Sequence, residues 1–222
     1  MADLSPRERV LNTLRRRPVD RLPLTLDVGA SAGIDSAYLD VFRAHTGAVD
    51  PAEYFDYDIR FVEAPLTPMS ADFSRYYADT VQIPKGTTFD AFGVGHAPAE
   101  QFPLGLDLHP WKIFTEPRQI EEYPFPTFQL REDTREAIRA LQRRGYAVSA
   151  AAGSINEWCC YLRGMDSFMV DLALRPEMAE AILERVTDLC LSMGSALAEA
   201  GVDILCFYGD MGGQSGLLIG PD

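Results

Sequence analysis

Apolar residues fall in two rhythms along this chain, and the changes between them mark out its elements. From residue 133 onward the alternation is regular. Ala137, Ile138 and Leu141 repeat at helical spacing within Asp133 to Arg144, which Gly145 closes. The small-residue run Ala147 to Ala151 then reads as a buried strand. Gly153 to Asn156 lead into helices expected over Trp158 to Arg163, Asp166 to Leu174 and Pro176 to Ala200, with Gly201 as the stop. A last apolar strand, Ile204 to Tyr208, opens into the glycine-rich stretch Gly209 to Gly216. Strands alternating with helices predict a parallel sheet with helical crossovers, either doubly wound or a TIM barrel.

The N-terminal half is less regular. Ser5, Pro6 and Glu8 form a capping box with proline at the first helical position, so a helix is expected from Pro6 to about Arg16. Leu22 to Val28 reads as a short strand running into the small residues Gly29 to Gly33, a candidate ligand edge with Asp27 and Gly29 facing it. Ala37 to His45 is expected to be helical, and Pro51 to Asp58 a short helix ahead of an extended piece at Ile59 to Val62. Residues 76–96 carry short β-prone pieces around Pro84, Lys85 and Gly86 and predict a hairpin inserted into a single domain over 1–222. Pro103 to Pro126, rich in proline and aromatics, reads as ordered loop with one short helix at Pro117 to Glu122.

Composition narrows the function classes. A formal charge of −13 opposes a nucleic-acid surface, and Arg15 to Arg17 read as a solvated helix end. Apolar runs stay far below the roughly 18 to 20 residues of a membrane helix, and the polar, basic N-terminus has no signal-peptide core. The four cysteines then read as reduced thiols, and a cytoplasmic location is expected.

Chemistry is expected where strands end. Asp210, in the loop with Gly209, Gly212, Gly213 and Gln214, sits past the last strand, where parallel α/β folds hold their ligands; the alternative is a turn aspartate capping a following helix. Asn156, Glu157, Trp158, Cys159, Cys160 and Tyr161 follow the 147–151 strand, with Trp158 and one cysteine open to a core role. Asp56 and Asp58 would share one side of an extended segment and hold an NH-rich ligand, or else are helix-end acids. Adjacent Cys159 and Cys160 make a poor chelate, and His45, His96 and His109 have no ligand spacing with any cysteine, so no metal site is expected within the chain. Nucleophile-elbow, Walker and dinucleotide motifs are absent.

With these residues in view, the chain resembles the uroporphyrinogen decarboxylase superfamily, and within it the members related to corrinoid and coenzyme M methyltransferases. The resemblance rests on Arg7 to Leu11, then Asp20, Arg21 and Pro23, the Asp-x-x-Gly-Val piece Asp90 to Val94, Glu121 to Pro126, and Gly201 to Pro221. It implies a (β/α)8 TIM barrel, of which a chain of this length would supply an incomplete first half, since such barrels need roughly 250 residues. It further implies Asp58 as the pyrrole-binding aspartate and Tyr161 as the active-site tyrosine; Asp210, from its place past the last strand, is a third catalytic candidate. The loop after the first strand lacks the arginine that would anchor a polycarboxylated tetrapyrrole. The implied function is therefore corrinoid-dependent methyl transfer, with uroporphyrinogen III decarboxylase of porphyrin biosynthesis, or a non-catalytic tetrapyrrole- or partner-binding half barrel, as alternatives. On this reading the chain itself holds no cofactor, and zinc and a corrinoid belong to the full-length relatives. A small molecule or a corrinoid protein would be the substrate, with a homodimer left open and no turnover expected from residues 1 to 222 alone.

Overall fold

Three short parallel strands organise the first of two compact units: β1 (Ile59–Phe61), β5 (Ala147–Ala151) and β6 (Ile204–Cys206), in the order β1-β5-β6. The computed structural model of the 222-residue chain describes residues 3–26, 33–34, 36–77, 82–98 and 107–220. Unit 1 takes the chain through Ala64, Leu130–Gly153 and Met193–Tyr208; unit 2 takes Pro65–Gln129, Ser154–Ser192 and Gly209 onward.

In unit 1 the central strand β5 is built of small residues and buried from Ala147 to Ala150, which lets helices approach both of its faces. Strand parity assigns those faces. Ile59 and Ala147 pair in register and pack with Val10 of α1 (Pro6–Leu14) and with Ile204. Val62 and Val148 pack on Ile138 of α5 (Glu132–Arg143), beside Leu141, Ala200 and Val202. Ile138 is fully buried, a contribution of about 1.5–3 kcal/mol. The capping box at Ser5 and Glu8 is present. The helices α2 (Ser36–Thr46) and α3 (Pro51–Tyr54) complete this unit's N-terminal part.

Two expectations change here. Residues 22–26 form no strand, because Leu24 is captured by one residue: its carbonyl accepts from the Asp58 amide at 2.8 Å, while its own N–H donates to Asp58 Oδ2 at 2.7 Å. A side chain thus takes the place of the next rung of a ladder. The segment before β1 is not extended either, since Asp56 has φ of +52°, and the alternation that would align Asp56 with Asp58 is broken. Asp27 and Gly29 lie outside the described residues.

Unit 2 contains the antiparallel sheet β2 (Thr88–Phe89), β3 (Gly95–His96) and β4 (Asp107–Leu108). Thr88 pairs with His96 and Phe89 with Gly95, so the turn here lies at 90–94 and not around Pro84, Lys85 and Gly86, and β4 adds a third strand the sequence did not signal. The first arm expected before Pro84 falls largely outside the described residues. Four helices follow, α4 (Pro117–Glu121), α6 (Ile155–Arg163), α7 (Met165–Leu174) and α8 (Pro176–Glu199), the last running from unit 2 into unit 1 after Ser192. The predicted strand through Tyr208 ends at Cys206, and the glycine stretch forms a hairpin of β7 (Gly212–Gly213) and β8 (Gly216–Leu217).

The aromatic segment read as loop is the core of unit 2. Trp111 is fully buried, 5.6 Å from Tyr123 and 5.7 Å from Phe125 between ring centroids. Gly93 shows how tight this packing is: with φ of +77°, a Cβ there would lie 2.3 Å from Phe73 and from the Tyr123 hydroxyl, so only glycine fits. Among the described residues no helix is long and apolar enough to cross a membrane.

Candidate functional site

Helix α6 carries the face that matters in unit 2. Ser154 caps it, its Oγ accepting from the Glu157 amide at 3.2 Å. Four-residue spacing then places Asn156 with Cys160 and Glu157 with Tyr161, while Cys159 and Leu162 turn inward and are fully buried. These outward residues, with Asp107, His109, Met165, Asp210, Gly212, Gly213 and Leu218, line a cleft of about 590 Å³.

Hydrogen bonds fix its parts. Asn156 Nδ2 donates to the Asp210 carbonyl at 2.9 Å, tying the glycine hairpin to α6, and the Asp210 carboxylate accepts from the Gly212 amide at 3.1 Å. That is the turn role considered for Asp210, but it opens a hairpin, not a helix. His109 Nδ1 stands 2.7 Å from the Tyr161 carbonyl. A carbonyl only accepts, so Nδ1 carries the proton and Nε2 is the acceptor of the neutral ring.

Among the described residues the charged lining is one-sided: Asp107, Glu157 and Asp210, with neither Lys nor Arg. Asn156 Oδ1 is also buried without a hydrogen-bond partner among the described residues. Burial first, then the charges of Glu157 and Asp107, push the Tyr161 phenol up, so it is a protonated donor near neutral pH. Burial and Glu157 likewise raise the Cys160 thiol. Burial holds Cys159 protonated and pushes Cys190 up to about 11. Cys159 and Cys190 should therefore stay unlabelled by iodoacetamide near pH 7 while the chain is folded, and Cys160 should react slowly. Peptide mass spectrometry reads this, and rapid labelling of Cys190 would contradict it.

Of the sequence candidates, Tyr161, Asp210, Asn156, Gly212 and Gly213 meet in this cleft. Gly209 precedes it, and a Cβ there would lie 3.4 Å from Ser154 Oγ, an ordinary contact. Gln214 occupies the exposed turn between β7 and β8. Asp58 belongs to unit 1 and has no exposed surface. Its carboxylate accepts from Arg21 at 2.6 Å and the Leu24 amide at 2.7 Å and pairs with Arg9, which also grips Asp20 at 2.7 Å. Two arginines and an amide thus occupy the NH-binding role read for it. Glu157, named with its α6 neighbours, also lines the cleft, whereas His109 and Asp107 were not singled out as site residues; His109 reaches α6 across 52 residues, a distance local patterns do not carry.

The zinc of the resemblance finds no fit: among the described residues no three His, Cys, Asp or Glu side chains gather as a metal requires. The acceptor-rich cleft does suit a ligand edged with N–H groups.

No curated protein matches the chain. Among solved structures, a methyltransferase from Methanosarcina mazei is similar with a TM-score of 0.51 at 16% identity, over 91% of this chain and 58% of that one. The present chain thus spans 58% of that protein's length, and the likeness supports a shared TIM-barrel-type α/β fold. The family model of uroporphyrinogen decarboxylase (URO-D) matches residues 5–221, so the chain belongs to that family.

Proposed function

We propose that this chain serves corrinoid-dependent methyl transfer, with the α6 cleft holding the amide-bearing edge of the corrinoid. On this reading β1, β5 and β6 form part of the wall of a (β/α)8 barrel. The observation that carries the proposal is the cleft's charge: among the described residues it is lined by three carboxylates and an amide oxygen without a hydrogen-bond partner, with no Lys or Arg. Uroporphyrinogen presents carboxylates all round, which such a lining repels. A corrinoid presents side-chain amides, whose N–H groups that lining accepts. The methyltransferase neighbour adds support at the level of fold. A cleft of about 590 Å³ takes an edge, not a whole macrocycle, which suits a corrinoid presented by a carrier protein.

When bound, the corrinoid supplies the methyl carrier. The chain's own residues do the rest. Asp210, held by Gly212 and Asn156, accepts amide N–H groups, and Tyr161 donates from its protonated phenol. His109, its Nδ1 committed to the Tyr161 carbonyl, offers Nε2 to take the proton of an incoming thiol.

Equilibrium dialysis of the chain against cyanocobalamin and against uroporphyrin tests this. Cyanocobalamin should bind at least tenfold more tightly, and Asp210→Asn should weaken it by about tenfold, the worth of one hydrogen bond to a charged group. Tighter binding of uroporphyrin would overturn the reading and favour the decarboxylase branch.

A further inference from the structure

Beside the cleft in unit 2 lies a second hollow, of about 410 Å³, walled by Asp90, Phe92, His96, Asp107, Trp158 and Tyr161. Asp107 and Tyr161 line both hollows. His96, on β3, spans two carboxylates: Nδ1 lies 2.8 Å from Asp107 Oδ1 on β4, and Nε2 lies 3.3 Å from Asp90 Oδ2. Asp90 is itself anchored, its other oxygen accepting from the Phe92 and Val94 amides at 2.9 Å each. Ionised carboxylates only accept, so both imidazole nitrogens carry protons in this arrangement and His96 is a cation clamped between two anions.

We propose that His96 is a positioning residue that sets both the orientation and the effective charge of Asp107 at the cleft wall, making the cleft's affinity for N–H-bearing ligands dependent on pH. With His96 protonated, Asp107 is neutralised and one of its oxygens is taken. Once His96 loses one proton, the neutral ring keeps a single N–H, Asp107 no longer faces a cation, and the cleft wall gains one negative charge that favours N–H donors.

The groups facing the ring fix where this happens. Burial alone would lower His96, but Asp107 and Asp90 outweigh it and hold the ring above its ordinary value. Tyr161, which lines the same hollow from α6, is itself raised by burial first and then by the charges of Glu157 and Asp107. Burial raises the Tyr77 and Tyr123 phenols, which also feel Asp90, so both are neutral through this range. The two ion pairs are therefore complete below about pH 6.5, the ordinary histidine value, and are lost as pH rises through the raised one. Ligand affinity rises over the same window.

The relay rests on its own geometry, and only the binding arm of its test relies on the corrinoid reading. Imidazole ¹⁵N NMR of the folded chain should show both His96 nitrogens protonated near pH 6.5, with loss of the proton above that value; Asp107→Asn should shift the titration down. A His96 that titrates at or below about 6.5 overturns the relay. Cyanocobalamin, which has no titrating group of its own between about pH 6 and pH 9, reads the consequence. Its affinity should rise roughly three- to fivefold from pH 6 to pH 8.5, the scale of one charge near water. His96→Gln should abolish that rise and keep binding at every pH. A pH dependence that survives His96→Gln would overturn the proposal. Failure of cyanocobalamin to bind at any pH would instead defeat the corrinoid reading, and the NMR titration would still decide the relay.

Discussion

Asp58→Ala is expected to cost the chain about 3–5 kcal/mol, the usual penalty for removing one partner of a buried ion pair. Asp58 has no exposed surface, and Arg9 beside it is only 7% exposed at its side chain. Without the carboxylate, Arg9 is left to Asp20 and the Leu4 carbonyl, while the Leu24 amide and Arg21 lose their acceptor. Asp58→Asn keeps the shape without the charge and should fall between parent and alanine variant. In a domain of this size the alanine change corresponds to a fall in Tm of roughly 6 to 20 °C, readable by circular dichroism during heating. A variant as stable as the parent would show that the cluster is not what holds Asp58 in place. The neighbouring Asp20 adds a pH signature. Its hydrogen bond to Arg9 holds its carboxyl well below the usual range. The stabilisation is present above the unfolded value near pH 3.9 and is lost only as pH falls through the depressed one, so the cluster should survive mild acid.

How far the sequence carried depends on where each signal resides. Helices with caps and stops inside their own segments were legible almost to the residue: the capping box at Ser5 and Glu8, and the strand at Ala147–Ala151 between Gly145 and Gly153. The cleft was legible on α6 and on the glycine stretch, because a helix following a buried strand and a glycine-rich loop are both local patterns. What escaped is nonlocal. Residues 22–26 have strand composition, yet the Asp58 side chain takes up the Leu24 amide that a ladder would need. His109 enters the cleft through a bond to the carbonyl of a residue 52 positions away, and the β4 partner of His96 adjoins a segment without β signals. Arg9 and Arg21, the partners Asp58 has in the fold, lie 49 and 37 residues away, beyond the local alternation with Asp56 from which it was read as a ligand group.

The second large effect is expected at Arg163, which is 1% exposed and binds the fully buried Asp171 through Nε at 2.7 Å. Its Nη1 also donates to the Trp111 carbonyl and, at 2.9 Å, to that of Phe114. One side chain therefore joins α6, α7 and the segment 109–114 that delivers His109 to the cleft, assisted by the Trp111 amide on the Leu162 carbonyl at 2.9 Å. Arg163→Met should destabilise the chain by about 3 kcal/mol, the low end for a broken buried pair, because Arg175 still holds Asp171 at 2.7 Å from its half-exposed position. Unfolding in urea measures the loss. The double variant Arg163→Met with Asp171→Leu separates charge from packing: with the buried carboxylate gone and Arg175 free to be solvated, most of the stability should return. If it does not, the contribution lies in the bonds to the Trp111 and Phe114 carbonyls. In that case hydrogen exchange should quicken across 109–114 in both variants, and His109 would lose its fixed place beside Tyr161 even in a stable chain.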